Sequence, residues 1–157
     1  MKKIMIGLVL ALSTTGCTLT PVIEQTPLQL QAVQSREYEA NKPITFAATM
    51  SVLQDLGYII QSADKDTGFI TANSAASNST NFGEALGGIT SNSVTKVTVF
   101  IEELRPGMTK VRLNFVNHKA SSGSYGQSFN RDTPITDPAT YNNALEKIED
   151  AIFVRKG

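Results

Sequence analysis

Two stretches of the chain alternate apolar and polar residues with a period of two. Val97, Val99 and Ile101 alternate with Lys96, Thr98 and Glu102, and Val111, Leu113 and Phe115 alternate with Lys110, Arg112 and Asn114. Successive side chains of a strand point to opposite faces, so the pattern predicts two strands with one packed face and one wet face. Arg105-Pro106-Gly107 joins them as a turn, because Pro presets φ and Gly accepts backbone angles that other residues resist. A weaker strand is expected around Gln127 to Arg131.

Elsewhere the period lengthens. Phe46, Met50, Leu53 and Leu56 recur at steps of four, three and three, the spacing of one helix face. Asn41-Lys42-Pro43 opens that helix and Gly57 closes it, since Pro suits a first turn and Gly a C-terminal stop. Tyr58 to Ala63 and Phe69 to Asn73 read as a hairpin around the turn cluster Asp64-Lys65-Asp66-Thr67-Gly68. Ser35 to Ala40 reads as a short first strand. A second helix begins at Thr136-Asp137-Pro138, with Asp137 as its cap. Tyr141, Leu145, Ile148 and Ile152 form its buried stripe, and Arg155 and Lys156 suit its negative end.

The order is β-α-β-β-loop-β-β-(β)-α. It implies an α+β fold, helix-grip-like, in which an antiparallel sheet of four to six strands carries both helices on one face. Residues 73–93 interrupt this order with Ser, Asn, Thr, Ala and Gly. A stretch of that length and composition predicts a flexible loop with a functional role. Its large apolar residues Phe82, Leu86 and Ile89 are the candidates for contact with a protein partner; the alternative is that they pack over the sheet edge or form a short helix.

The N-terminal segment reads as an address. Met1-Lys2-Lys3 is basic, Ile4 to Leu12 is uniformly non-polar, and Ser13-Thr14-Thr15-Gly16-Cys17 is small. That is the three-part layout of a secretory signal, and its apolar run is far short of the ~20 residues that span a bilayer. Thr14-Thr15-Gly16-Cys17 resembles a bacterial lipobox, with Thr14 where Leu is usual. The resemblance implies cleavage before Cys17 and lipid on its sulfur. Thr18, rather than Asp, after the Cys implies the outer membrane. The expected organisation is a signal peptide over 1–16, lipidated Cys17 with a flexible tether over 17–34, and one domain over 35–157. A flexible tether would hold the domain roughly 20–25 Å from the anchor.

Composition narrows the function. The chain has 157 residues, one Cys and one His. That is one domain's worth of chain, without an intrachain disulfide or a Cys- or His-rich metal centre. Fourteen basic and 14 acidic residues balance, which argues against nucleic acid as a partner. Removing 1–16 takes Lys2 and Lys3 away and leaves a net charge of −2. No cofactor is expected.

Catalytic constellations are sparse. Asp64-x-Asp66-x-Gly68 has the start of a calcium loop, but Phe69 and Ala75 occupy the positions that need Gly and an acidic ligand. A hairpin turn is the better account. His118 falls on the wet face with Lys110, Arg112, Asn114 and Val116. A solvated strand residue explains it without invoking general-base chemistry. Glu102 and Glu103 point to opposite faces and cannot converge on one bond. Lys96, Lys110 and Arg112 form a modest basic stripe, read as a solvated sheet face.

Arg36-Glu37-Tyr38, then Val52-Leu53-Gln54-Asp55-Leu56-Gly57-Tyr58 running on to Asp64-Lys65-Asp66-Thr67-Gly68-Phe69-Ile70-Thr71-Ala72, and finally Asp137-Pro138, Tyr141 and Ala151-Ile152-Phe153, together resemble a group of small bacterial outer-membrane lipoproteins. The set is distantly similar to the helix-grip domains of the C lipoprotein of the outer-membrane beta-barrel assembly machine. These motifs are caps, turns and core positions, so the resemblance implies address and fold and transfers no catalytic residue. The expectation is a non-enzymatic lipoprotein on the periplasmic face of the outer membrane. It would be anchored through Cys17 and act as a binding or scaffold module for an envelope partner. The alternatives are a small-molecule or lipid binder with a cavity between sheet and helices, and a hydrolase using His118.

Overall fold

The computed structural model describes residues 27–123 and 126–157. The expected signal peptide, Cys17 and the first part of the tether lie outside the described residues. The elements are α1 (Pro27–Val33), β1 (Ser35–Tyr38), α2 (Lys42–Asp55), β2 (Tyr58–Asp64), β3 (Phe69–Ser74), β4 (Ser77–Asn78), α3 (Phe82–Leu86), β5 (Thr90–Arg105), β6 (Met108–Ser122), β7 (Ser128–Pro134) and α4 (Pro138–Lys156). The fold is α+β, with one antiparallel sheet in the order β1-β6-β5-β3-β2; β4 adds to β5, and β7 adds to β6.

The alternating strands behave as their pattern dictates. Val97, Val99, Ile101, Val111, Leu113 and Phe115 are buried together with Ile70 and Ala72 of β3. The α2 and α4 helices cover this face, and their Leu53, Tyr141, Leu145 and Ile148 complete the core. Burying each such side chain stabilises the fold by about 1.5–3 kcal/mol. The opposite sheet face carries Lys96, Thr98, Phe100, Lys110, Arg112 and Asn114, and among the described residues only α1 borders it, beside Lys110 and Arg112. Arg105 pairs with Met108 across Pro106-Gly107, where Gly107 takes φ +77°.

Local signals start and stop the helices. The Asn41 side chain accepts from the Ile44 N–H at 3.0 Å, and Gly57 follows α2 at φ +83°. Asp137 accepts from the Ala139 and Thr140 amides at 3.2 and 3.1 Å. Arg155 donates to the Ala151 carbonyl at 3.1 Å, one turn back.

Three expectations need correction. Among the described residues the sheet has seven strands, not four to six. Residues 73–93 are organised as the end of β3, β4, α3 and the start of β5. Pro27–Val33, assigned to the tether, is helical, and its Leu30 and Val33 pack against the core. The buried face of α2 is also broader than the predicted stripe: Thr45, Phe46, Ala48, Thr49, Val52 and Leu53 are buried, while Met50 and Leu56 are only partly so. A helix wedged between a sheet and a second helix buries more than one narrow stripe.

Candidate interaction site on helix α3

The far halves of β5 and β6 extend past α2 and α4. Their core-side positions become polar there: Ser91, Ser93 and Thr95 on one strand, and Asn117, Lys119 and Ser121 on the other. Short polar side chains leave room for α3 to sit, and they bond the two strands to each other and to the segment that leads into it. The Ser91 and Ser121 hydroxyls are 2.8 Å apart, Ser93 donates to Asn117 Oδ1 at 2.6 Å, and the Ser91 amide donates to Thr80 Oγ1 at 2.8 Å.

A reciprocal cap starts α3. The Glu84 amide donates to Asn81 Oδ1 at 2.8 Å, and the Asn81 amide donates to Glu84 Oε2 at 3.1 Å, which satisfies two otherwise orphaned donors. The other Glu84 oxygen accepts from Lys119 Nζ at 2.7 Å. This Lys119 bond, with the Asn81 amide second, holds the Glu84 carboxyl below its ordinary range. Glu84 thus faces the sheet. Phe82 and Leu86 lie on the other side of the helix, since residues two apart are ~200° apart around the axis. They are 80% and 74% exposed. Ile89 is half-buried, and its amide donates to the Glu84 carbonyl at 2.8 Å.

The structure therefore brings Phe82 and Leu86 together as an outward apolar pair and separates Ile89 from them. Phe129 of β7, 63% exposed, borders the same seat in a depression of about 270 Å³ with Glu84, Lys119 and Arg131. The helix has a sequence signal within the polar stretch: Asn81 followed three residues later by Glu84. Phe129 has no such signal, because β7 is exposed along its whole length.

His118 lies on the opposite face, where its Nδ1 meets Asp132 Oδ1. That bond keeps the Asp132 carboxyl below its ordinary range. The register partners of His118 are Val94 and Asp132, while Ser91, Ser93 and Ser121 project from the other face. Neither register partner of His118 carries a hydroxyl. Asp64 Oδ1 accepts from the Asp66 and Thr67 amides at 2.9 and 3.3 Å, so the carboxylate of the calcium-like stretch closes its own turn. Between sheet and helices, Phe115 packs against Tyr141 at 5.2 Å between ring centroids.

No family model and no curated protein matches the chain. Among solved structures it is similar to the adenylate sensor of AMP-activated protein kinase, which was solved with a ribofuranotide bound. The likeness has 13% identity and a TM-score of 0.40, over 75% of this chain and 94% of that one. A likeness at that level assigns neither fold nor ligand. No helix among the described residues is long and apolar enough to cross a membrane.

Proposed function

We propose that the chain is a lipid-anchored lipoprotein of the outer membrane, facing the periplasm. Its domain is a non-enzymatic docking module for an envelope protein, and α3 is the contact. The observation that carries the reading is the Phe82–Leu86 pair. A five-residue helix buries none of its own residues, yet a capping box and an ion pair fix it with its apolar side outward. An isolated helix that short does not persist in water, so the bonds beneath it make a defined surface of what would otherwise be a polar loop. The signal-like N-terminus ending at Cys17, and the resemblance to small bacterial lipoproteins, support the address.

The test is photo-crosslinking in cells from position 82 or 86 of the full chain, with position 118 as the opposite-face control. The expected result is one discrete envelope adduct from 82 and 86 that Glu84→Ala weakens. Equal labelling from 118, or no adduct from either α3 position, removes the assignment. Intact mass of the membrane-extracted protein tests acylation of Cys17.

A further inference from the structure

The uncovered sheet face has an unequal distribution of charge. Lys110 is flanked in register by Glu37 on β1 and Glu102 on β5, so its charge is locally compensated. Arg112 is flanked by Ser35 and Phe100. Neither cation makes an ion pair among the described residues. Arg112 thus has no carboxylate directly opposite it in register, and Phe100 and Ser35 leave its guanidinium open to solvent.

Arg112 also separates two open depressions. One, of about 320 Å³, has Leu28 and Ala32 of α1 on its rim together with Lys110. The other, of about 330 Å³, has Phe100, Thr98 and Asn114. Leu28 is 76% exposed and Phe100 41%. An exposed guanidinium between two exposed apolar side chains matches the boundary between headgroups and acyl chains. There, apolar groups bury shallowly and cations meet lipid phosphates.

The position of the chain entry decides the occupant. Nine residues lie between Cys17 and Pro27, so covalent geometry keeps α1 within about 35 Å of the Cys17 Cα. Leu28 is the second residue of α1. A domain tethered there meets the bilayer first with the surface around α1. The α3 helix lies on the other side of the sheet, and the nine residue steps along β6 from Arg112 to Ser121 add about 30 Å.

We propose that the Leu28–Arg112–Phe100 surface lies against the bilayer and binds anionic phospholipid headgroups. This orients Phe82 and Leu86 away from the membrane toward the partner. The inference takes its geometry from the proposed anchor at Cys17.

The test uses full-length protein extracted from membranes and reconstituted in phosphatidylcholine vesicles with or without phosphatidylglycerol. A fluorophore is placed at Leu28→Cys, Phe100→Cys or Phe82→Cys, and the lipids carry a shallow nitroxide quencher. Quenching is expected at 28 and 100 but not at 82, to be stronger with phosphatidylglycerol, and to be lost with Arg112→Glu. Phe82 quenched in place of Leu28, or quenching indifferent to both lipid charge and Arg112→Glu, overturns the proposal. Thermal melting of Arg112→Glu should match the parent, so that lost quenching reports the surface and not the fold.

The anchor is read separately. If intact mass shows a bare Cys17 thiol, co-sedimentation of the same protein with phosphatidylglycerol vesicles tests the surface alone. One cation contributes about fivefold in affinity, so reversing it with Arg112→Glu should weaken binding roughly tenfold or more. Binding that Arg112→Glu leaves unchanged overturns the surface even where the anchor holds.

Discussion

The Ile101 amide donates to the Gly68 carbonyl at 2.9 Å, and a Cβ added at Gly68 would stand 2.1 Å from the Ile101 carbonyl oxygen. The β2–β3 turn is therefore pressed onto the central strand at a point only a hydrogen can occupy. Gly68 also takes φ +81°. Gly57 has nearly the same angle, φ +83°, but nothing within 4 Å of its virtual Cβ. The two glycines separate backbone strain from steric exclusion. Gly57→Ala should cost about 1–2 kcal/mol, the left-handed penalty alone. Gly68→Ala should cost about 3 kcal/mol or more, because backbone must also move. Urea unfolding of both variants checks the difference, and equal losses would show that the turn yields freely.

Thr45 of α2 and Thr109 of β6 are both fully buried, with their hydroxyls 2.8 Å apart. Thr45 also donates to the Asn41 carbonyl at 3.1 Å. Thr45→Val leaves the Thr109 hydroxyl buried without this partner, at a cost of about 1–3 kcal/mol. Thr45→Val with Thr109→Val removes both hydroxyls and their mutual need. The double variant should lose less than the sum of the singles, with a coupling of about 0.5–3 kcal/mol. A double-mutant cycle in urea measures it, and additivity would mean the two hydroxyls act independently.

This pair also marks a limit on what was legible in the sequence. The strands around Val97, Val99 and Ile101 were readable because one face meets an apolar layer and the other water. Past Val97 toward Thr90 the strand continues, but its inner face meets α3 through hydroxyls. Ser91 is as buried as Val97, and its polarity hides the period. In α2, Thr45 and Thr49 return their hydroxyls to carbonyls one turn back, at 3.1 and 2.8 Å. Polar residues therefore occupy buried helix positions that a hydrophobic count leaves out. The sequence leaves the α3 helix undecided against a flexible loop for a related reason: its hold is polar, and its apolar residues face away from the protein. Phe82 and Leu86 were nevertheless readable as contact candidates, because large apolar residues are conspicuous in a polar stretch. Alternation places Arg112 on the wet face, but that its direct partners are Ser35 and Phe100 rather than carboxylates depends on strand register.

The ion pair beneath α3 should make that helix acid-sensitive. Lys119 and the Asn81 amide hold the Glu84 carboxyl below its ordinary range. A carboxylate with a depressed folded pKa adds stability above its unfolded pKa, near 4.3, and that contribution fades as pH falls through the folded value. Protection of the α3 amides against hydrogen exchange should therefore be steady from pH 7 to 5 and fall below ~4. Lys119→Ala should reduce protection at pH 7 and shift its acid fall upward in pH. Unchanged protection in Lys119→Ala would mean that the Asn81 cap and the serines hold the helix without the ion pair.

Tyr38 predicts sensitivity at the opposite end of the pH scale. Its hydroxyl donates to the Leu145 carbonyl at 2.7 Å, tying β1 to α4. Burial pushes its phenol well above the ordinary tyrosine value; Arg36 opposes the shift weakly and Glu149 adds to it. With the folded pKa raised, the fold favours the neutral phenol. Its stabilisation is complete below the unfolded value near 10 and is lost as pH climbs past it, because only the unfolded chain releases the proton there. Comparison with a variant cancels the contributions of the rest of the chain. Tyr38→Phe should lose about 1–2 kcal/mol at pH 8 with the hydrogen bond. Lacking the titration, it should then decline less steeply than the parent between pH 9.5 and 11. Urea midpoints across that window should converge; parallel curves would show that Tyr38 does not ionise differently in the two states.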